Sequence, residues 1–364
     1  MSKIMLISSK DNNFYNFRSE FILKLQSMGH EVVLVCPYGK KIDYFIKHGC
    51  RFIDISVDRR GKNVFKDTRL LYEYYILIKR EKPDVVLTYT TKPSVFAGFV
   101  CRIIKTPYII NNAGIMEAHG LFDLFLNFLY QVSFKKASCI MCQNSFEKEK
   151  IQSLLHNAIN CRSIPGSGVN LSEFTYQPYP ENNDEIIFNY VARIVKVKGI
   201  DEMLECAKRV KKEYPKVKFV IYGDYDDYSY QKVISDFEKM GIVEYGGIQI
   251  NMKPFIETAH AVIHPSYYEG MTNVVLEHSA MGRVCIGSKI PGVCEGIDDN
   301  KTGFLFDVKD IGSMVEAVKK FINLPYEEKV AMGKAAREKM ERYFSRDIVT
   351  NVYLEELLKI LELS

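Results

Sequence analysis

Two glutamates, eight residues apart, are the side chains of this sequence with the clearest chemical potential. Glu269 belongs to Pro265–Gly270, which we predict to be a turn after an apolar strand, and Glu277 lies about one turn inside the following helix. Thr272 or Asn273 would cap that helix. Its start offers unpaired N–H groups and a positive dipole end to a phosphate. One carboxylate can then face a sugar while the other accepts hydrogen bonds from a ribose, so the segment predicts a nucleotide-sugar site.

Two cations form a second chemical element. Arg193 follows the first predicted strand of the second half of the chain, and Lys198 directly precedes a predicted helix. Both could reach a diphosphate leaving group, because arginine supplies a fork of donors and lysine a point charge. Together they would neutralise its charge without a metal ion. Basic loops are common and usually only solvated, so the specificity comes from the combination with Glu269 and Glu277.

The elements that would position these side chains alternate between short apolar strands and helices. Such alternation is typical of parallel sheets with helices on both faces. It restarts after a polar stretch at 176–184, which predicts two doubly wound, Rossmann-like α/β domains facing a cleft, at 1–170 and 171–344, with a helix at 345–364 crossing back onto the first. We expect the site in that cleft, at the carboxyl ends of the strands. Strands are predicted at 4–8, 31–36, 51–55, 85–89, 108–111 and 139–142, then at 186–191, 218–222, 261–264 and 284–288.

The composition is that of a soluble globular protein. The chain has 364 residues, 47% apolar and 26% charged, which is enough for two cores. Its apolar stretches fall short of the roughly 18 residues that a membrane span needs, and 3–7 predicts a first strand rather than a signal peptide. Nine scattered cysteines indicate a reducing cytoplasm. Cys139 and Cys142 form one close pair, which we interpret as strand residues rather than a metal or redox site.

The charge distribution points to an anionic partner for the first half. Residues 1–165 contain 24 Lys/Arg and 14 Asp/Glu, whereas 166–364 contain 25 and 31. An anionic membrane surface would suit the basic half. Nucleic acid competes, but no basic helix with base-reading side chains or aromatic-basic motif supports it. We therefore expect a cytoplasmic protein, peripheral on the inner face of the cell membrane; 121–136 could be a membrane-contacting or a buried helix.

The motifs taken together resemble the retaining glycosyltransferases of family four, which have the two-domain GT-B fold. Within that family the likeness is greatest to bacterial enzymes that extend lipid-diphosphate-linked glycans. The resemblance covers most of 186–305, and the order of its motifs is specific. The matching pieces are Ala192-Arg193 with Lys198-Gly199, Tyr222-Gly223, Pro265-Ser266 with Glu269-Gly270 and Glu277, Gly282–Ser288, Pro291-Gly292 with Glu295, and Thr302-Gly303.

This resemblance implies roles for the donor-side residues. Arg193 and Lys198 would hold the donor diphosphate, Glu277 the ribose, and Glu269 the transferred sugar. No metal or other cofactor is implied, since the UDP-sugar is a substrate. The remaining implied contacts are those of Gly270, Met271, Thr272 and Asn273 with sugar or phosphate, and of Gly223 and Ile248 with the base.

In the first domain the resemblance is looser. His119 is the catalytic candidate that would support developing positive charge, although it could equally be structural or solvated. Glu117 and Arg18 are candidates for contacting the acceptor, with a structural salt bridge as the alternative for Arg18. Two departures stand out: Ser8–Asn13 replaces a glycine pair usual in the family, and Arg283 replaces a small residue, which we expect to alter only a surface turn.

Two further patterns suggest metal sites and are interpreted otherwise. Asp224, Asp226 and Asp227 resemble the acidic triplet of the other main glycosyltransferase fold, but their place after a predicted strand favours a solvated loop. His260 and His264 share one face of a strand at a separation of roughly 13 Å, too far apart for one metal ion. We predict that both are core or loop histidines.

The resemblance implies metal-independent, retaining transfer of a hexose or N-acetylhexosamine from a UDP-sugar. N-acetylgalactosamine or galactose is the expected sugar, and a lipid-diphosphate-linked saccharide of bacterial surface polysaccharide or glycan synthesis is the expected acceptor. Two alternatives stay open. One is a catalytically silent nucleotide-sugar-binding subunit of a membrane assembly, and the other is a nucleotide-sugar epimerase on the same scaffold.

Overall fold

The computed structural model describes residues 1–58, 64–112, 121–155, 160–181 and 185–362. It divides the chain into two compact units, Met1–Ser167 with Asp347–Ser364, and Gly168–Arg346. The division thus falls after residues 167 and 346, where the sequence predicted boundaries after 170 and 344. The last helix groups with the first unit.

Each unit is built on one sheet of parallel strands. Within the described residues the first sheet has the order β3-β2-β1-β4-β5-β6-β7 and the second β10-β9-β8-β11-β12-β13. The strands are β1 Lys3–Ile7, β2 Glu31–Cys36, β3 Arg51–Asp54, β4 Val85–Thr88, β5 Tyr108–Asn111, β6 Cys139–Cys142, β7 Cys161–Ser163, β8 Ile187–Val191, β9 Lys218–Tyr222, β10 Glu244–Gly247, β11 Ala261–His264, β12 Val284–Ser288 and β13 Gly303–Phe306.

Helices connect the strands, as parallel pairing requires. They are α1 Asp11–Ser27, α2 Ile42–Lys47, α3 Val64–Glu81, α4 Thr91–Ile104, α5 Leu121–Phe134, α6 Ser145–Leu154, α7 Ile200–Glu213, α8 Tyr230–Lys239, α9 Lys253–Thr258, α10 Asn273–Ala280, α11 Pro291–Cys294, α12 Ile311–Ile322, α13 Tyr326–Tyr343 and α14 Arg346–Glu362. The fold class predicted from the alternation of strands and helices is confirmed in both units.

The side chains of successive residues in a strand are buried in two cores, one on each face of the sheet. In β1, Met5 and Ile7 join the core formed with α3, α4 and α5, whereas Ile4 and Leu6 join the core formed with α1 and α14. Tyr353 of α14 belongs to the second of these cores. Burial of both faces explains why the strands are continuous apolar runs rather than alternating ones.

The second sheet is covered in the same way. Phe188 and Tyr190 of β8 pack in a core with α7 and α12. On the opposite face, Val262 of β11 packs with Val275 of α10. Because α10 is fixed to the sheet through its apolar side chains, the loop that precedes it is held at the carboxyl edge of the sheet.

Arg283 contradicts the expectation of a surface turn. It has no exposed surface and is among the largest fully buried side chains. Its guanidinium donates five hydrogen bonds to backbone carbonyls, so it joins separate segments of the second unit without needing a carboxylate. Burial lowers the pKa of this guanidinium. The acceptors are the carbonyl oxygens of Ile256, Glu257, Gln177, Pro178 and Met281.

The predicted apolar stretch at 121–136 forms α5, and its side chains are described from residue 128 onward. Leu129, Tyr130 and Phe134 are buried in the first unit, whereas Phe128 is exposed. The described side chains thus follow the buried alternative for the second half of α5. In the described part of the chain, every helix is too short or too polar to cross a bilayer.

The cysteines are free thiols. Cys139 and Cys142 lie at the two ends of β6, and both are buried. Burial raises the pKa of Cys139 to about 12, which disfavours the thiolate that metal binding or redox chemistry requires.

Candidate active site

The order of the second sheet creates a crevice between two of its central strands. β9 and β10 lie on one side of β8, and β11, β12 and β13 lie on the other. The chain therefore runs from β8 towards β9 on one side of the sheet and from β11 towards β12 on the other. Doubly wound folds bind their ligands at the point where the strand order reverses in this way. Lys198 lies in the loop after β8 and Glu269 in the loop after β11. The topology alone brings these two predicted residues to the same place.

The loop after β8 is shaped so that Lys198 points to the loop after β11. A single 3₁₀ turn, Lys196–Lys198, ends at Gly199, whose φ is +72°. A Cβ on Gly199 would lie 2.2 Å from the carbonyl oxygen of Pro265, so only glycine permits this approach. The hydroxyl of Tyr190 in β8 donates to the Lys198 carbonyl at 3.1 Å and so fixes the turn to its strand.

Lys198 and Glu269 form an ion pair at the centre of the crevice. The Lys198 Nζ to Glu269 Oε1 distance is 2.5 Å, and both side chains are largely buried. The same carboxylate oxygen accepts from Ser266 Oγ at 2.8 Å and contacts His264 Nε2 at 3.2 Å. Three polar groups thus hold one oxygen of Glu269, which fixes the orientation of its carboxylate.

The electrostatics keep Glu269 ionised. Burial is the largest single influence and would raise its pKa, but the interactions with His264 and Lys198 together outweigh burial and lower the pKa to about 2. The crevice therefore presents a fixed negative charge beside a positive one at any physiological pH. The Lys198 ammonium can bind a diphosphate, while the Glu269 carboxylate can face a carbon that carries partial positive charge.

Arg193 lies in the loop after β8 as well, but its partner is different. It is half-exposed and forms an ion pair with Asp226 of the loop after β9. The Ile194 N–H donates to the Asp224 carbonyl at 2.8 Å, so the two loops run side by side. Asp226 thus neutralises a cation. Among the residues the structure describes, no cluster of three or more His, Cys, Asp or Glu side chains could hold a metal ion.

The backbone conformation and the close packing at position 223 require a glycine, independently of any ligand. Its φ is +147°, and a Cβ there would lie 1.8 Å from the Ala192 carbonyl oxygen. Its carbonyl accepts from the Tyr245 hydroxyl at 2.9 Å, which ties it to β10. Ile248 is exposed just after β10. Contact of Gly223 and Ile248 with a base stays a prediction.

The start of α10 presents backbone rather than side chains. Thr272 occupies the N-cap position, but its side chain makes no capping hydrogen bond. Met271 and Thr272 are buried, and Met271 packs in the core with Leu276. Asn273 is half-buried at the first helical position. A ligand next to Gly270 would therefore meet N–H groups of a helix start, which suit a phosphate or a sugar hydroxyl.

Glu277 lies one turn inside α10 in an environment that disfavours its charge. Burial raises its pKa to about 7, with Arg346 opposing the shift and Glu173 adding to it. Among the described residues, neither Glu277 nor Arg193 bonds to the Lys198–Glu269 pair. The structure thus joins two of the four predicted donor-site residues directly and places the other two on adjoining elements.

The raised pKa of Glu277 predicts a pH-dependent loss of stability. Because the folded-state pKa of about 7 exceeds the ordinary 4.5, the folded protein favours the protonated acid, and stability falls as the pH rises between these values. Glu277→Gln, neutral at every pH, should raise the free energy of unfolding by about 1 to 3 kcal/mol near about pH 8 and change little near about pH 4. Urea unfolding at both pH values measures this. Parallel pH profiles of the two proteins would contradict the assignment.

Arg18, the candidate acceptor contact of the first unit, is buried in α1. It donates to the Phe17 carbonyl at 2.7 Å and reaches the Tyr353 hydroxyl at 3.4 Å, so it helps to hold α14. The alternative of a salt bridge is not seen, since none of the described carboxylates pairs with it. His119 and Glu117 lie outside the described residues.

His264 is the site residue that sequence reasoning missed. The sequence predicts a core or loop histidine at this position, and His264 is buried, as His260 is. However, His260 contacts the Ile187 N–H at 3.2 Å, whereas the His264 ring contacts Glu269. One signal was present: His264 is the last residue of its strand, and strand ends at the carboxyl edge of such sheets carry site residues.

Two family models match the chain. The family model described as "Glycosyl transferases group 1" matches residues 172–339, and the model "Glycosyl transferase 4-like" matches residues 3–144. The two matches fall one in each compact unit.

Curated bacterial proteins match most of the chain at low identity. The capsular polysaccharide biosynthesis glycosyltransferase CapM of Staphylococcus aureus is 23% identical, over 89% of each chain. The N,N'-diacetylbacillosaminyl-diphospho-undecaprenol alpha-1,3-N-acetylgalactosaminyltransferase of Campylobacter jejuni is 22% identical, over 97% of each. The UDP-Gal:alpha-D-GlcNAc-diphosphoundecaprenol alpha-1,3-galactosyltransferase of Escherichia coli is 23% identical, over 79% of each.

Solved structures share the fold across the whole chain. A glycosyltransferase from Rickettsia africae ESF-5 has a TM-score of 0.80 at 17% identity, covering 100% of this chain and 99% of its own. An Anabaena protein in complex with UDP has a TM-score of 0.77 at 13% identity, covering 98% and 99%. At these identities the likeness shows the fold alone.

Proposed function

We propose that the chain is a GT-B glycosyltransferase that moves a hexose or N-acetylhexosamine from a UDP-sugar with retention of configuration. The match of a group 1 glycosyltransferase model to the second unit and of a 4-like model to the first supports this proposal. The observation that carries this proposal is the Lys198–Glu269 pair at the strand-order reversal of the second unit. In this pair, Lys198 supplies the positive charge that a leaving diphosphate needs, and Glu269 supplies a negative charge next to the sugar.

In the proposed reaction the bond between the anomeric carbon and the β-phosphate oxygen breaks, and a bond to an acceptor hydroxyl forms on the same face. The departing phosphate oxygen takes the acceptor's proton, so no protein nucleophile or metal ion is required. Stabilising the leaving diphosphate is then the main catalytic task, and Lys198 and Arg193 perform it. Lys198 is paired with Glu269 and Arg193 with Asp226, so a bound diphosphate would replace these carboxylates as the partner of each cation.

Glu277 accepts the ribose hydroxyls in this scheme, and Glu269 contacts the transferred sugar. The backbone from Gly270 to Asn273 contributes N–H groups, while Gly223 and Ile248 border the base. His119 supports the developing positive charge, and Glu117 contacts the acceptor. Arg18 is left out of this scheme because it is buried and its guanidinium donates to Phe17 and Tyr353.

The acceptor we propose is a lipid-diphosphate-linked saccharide in bacterial surface polysaccharide or glycan synthesis. Two of the relatives carry an undecaprenyl-diphosphate saccharide in their names, and one names UDP-galactose as donor. N-acetylgalactosamine and galactose are the sugars they transfer, and we propose one of these here. Such an acceptor places the protein at the inner face of the cell membrane, where the net positive first half meets anionic lipid.

A panel of radiolabelled UDP-sugars, incubated with undecaprenyl-diphosphate-linked saccharides, tests the proposal. We expect label from one sugar in the lipid product, with the anomeric configuration of the donor seen by NMR. Binding of UDP without transfer to any acceptor would favour the silent subunit. Conversion of the donor sugar in the absence of acceptor would favour the epimerase.

A further inference from the structure

The outer side of α3 exposes large apolar groups in line with cations. Phe65 is 89% exposed, Tyr72 64% and Ile76 42%. Arg69 and Arg80 are also exposed. Spacings of three and four residues put these five side chains on one face of the helix. We call Phe65, Arg69, Tyr72, Ile76 and Arg80 the α3 stripe.

The opposite side of α3 makes the stripe a fixed surface. Leu70, Tyr74 and Ile78 are buried in the core of the first unit. The buried Asp67 pairs with Lys92 of α4 at 2.6 Å and holds the start of the helix in place. The exposed aromatic groups therefore stand on a helix that is packed against the body of the unit.

A groove of about 270 Å³ continues the apolar surface between α3 and the end of β3. Its lining includes Ile53, Ile55, Ile76 and Leu77. It also includes the carboxylates of Asp54 and Glu73, but Asp54 accepts from the Tyr38 N–H at 2.9 Å and Glu73 from Arg69 at 2.8 Å. The surface therefore presents mainly apolar groups and basic side chains to solvent.

The charge of the helix favours an anionic partner. Along α3, four cations reach solvent, Lys66, Arg69, Lys79 and Arg80. Two partly exposed carboxylates, Glu73 and Glu81, pair with Arg69 and Arg80, so the helix surface keeps a net positive charge. Long basic side chains beside exposed tyrosine and phenylalanine suit the interface of a bilayer, where the rings enter the headgroup layer and the cations meet phosphates.

We propose that the α3 stripe is the surface through which the protein docks on a bilayer rich in anionic phospholipid. Phe65, Tyr72 and Ile76 enter the boundary between headgroups and acyl chains, while Arg69 and Arg80 pair with lipid phosphates. This surface goes beyond the transfer reaction and does not depend on it. Because α3 starts at the carboxyl edge of the first sheet, docking would bring that edge close to a lipid-linked acceptor.

Co-sedimentation of the full chain with vesicles tests this surface. We expect the protein to sediment with vesicles of phosphatidylglycerol and phosphatidylcholine in equal parts and to stay largely free with phosphatidylcholine alone. Phe65→Ser with Tyr72→Ser, and separately Arg69→Gln with Arg80→Gln, should each lower partitioning by about tenfold or more. Added salt should weaken the binding of wild type, and less so that of the arginine variant.

Matched controls separate this surface from general charge. Arg209→Gln with Arg342→Gln removes two exposed arginines of the second unit, and Arg209 is paired with a glutamate four residues away, as Arg69 is. This variant should bind vesicles as wild type does. Transfer to a short-chain, water-soluble acceptor should be unchanged in both α3 variants, so a failure of docking is distinguishable from a failure of the proposed reaction.

Three results would overturn the proposal. Wild type could fail to bind anionic vesicles, or both α3 variants could bind them as wild type does. Sedimentation equilibrium could also reveal a dimer that Phe65→Ser with Tyr72→Ser converts to monomers, which would assign the stripe to a second copy of the chain. If that apolar variant does not fold by circular dichroism, the arginine variant decides alone.

Discussion

Replacing Lys198 with alanine is expected to lower turnover by about a hundredfold to a thousandfold, because it removes a preorganised charge aimed at the leaving diphosphate. The ammonium lies 2.5 Å from Glu269 in a largely buried crevice, where a charge acts more strongly than in water. Its effect should be larger on kcat than on KM, since charge on the leaving oxygen grows towards the transition state. Steady-state kinetics with a UDP-sugar measure both constants.

Lys196→Ala is the matched control for this variant. Lys196 lies in the same 3₁₀ turn and carries the same charge, but its side chain is exposed to solvent. We expect it to retain nearly full activity. Full activity in Lys198→Ala would contradict the assignment of Lys198 to the diphosphate. Equal losses in the two variants would indicate a general effect of positive charge rather than a positioned one.

Glu269→Ala is expected to abolish measurable transfer while UDP binding persists or becomes tighter. The carboxylate is the partner that the diphosphate must displace from Lys198, so its removal frees the cation for UDP. Without Glu269, however, the transferred sugar loses an anion whose pKa is held at about 2 and which is therefore always charged. Calorimetric titration with UDP, beside the transfer assay, separates the two effects.

Glu269→Gln sharpens the result, since it keeps the size of the side chain and removes the charge. It should lose transfer by about a hundredfold or more if the charge matters. Loss of both UDP binding and transfer in a folded variant would contradict the proposed displacement. Unaltered transfer in either variant would remove Glu269 from the site.

The sequence predicts the parts of the fold that have a local physical cause. Buried parallel strands such as β1 and β11 are continuous apolar runs, and helices such as α7 bury residues at helical spacing, among them Met203, Ala207 and Val210. Three strands are not predicted, β7, β10 and β13, and each forms an edge of its sheet. β10 contains Gly246 and Gly247, and β7 is only three residues long, so neither has the apolar run by which strands are recognised.

The candidate site shows the same limit. Resemblance to a family predicts which residues matter, and the reversal of strand order explains why Lys198 and Glu269 meet. Neither of these predicts that Lys198 and Glu269 form an ion pair, or that His264 contacts the Glu269 carboxylate. Those contacts depend on the orientation of side chains from two loops. Arg283 is a similar case, since its buried place is possible only because distant segments supply carbonyl acceptors.

The central claim is that Lys198, Arg193 and Glu277 bind the UDP part of one nucleotide-sugar whose sugar lies next to Glu269. A crystal structure of the protein with UDP tests it most directly. We expect the diphosphate within hydrogen-bonding distance of the Lys198 ammonium and the Arg193 guanidinium, Glu277 on the ribose hydroxyls, and Lys198 turned from Glu269 to the phosphate. A UDP bound away from the crevice between β8 and β11, with the Lys198–Glu269 pair intact, would contradict the account.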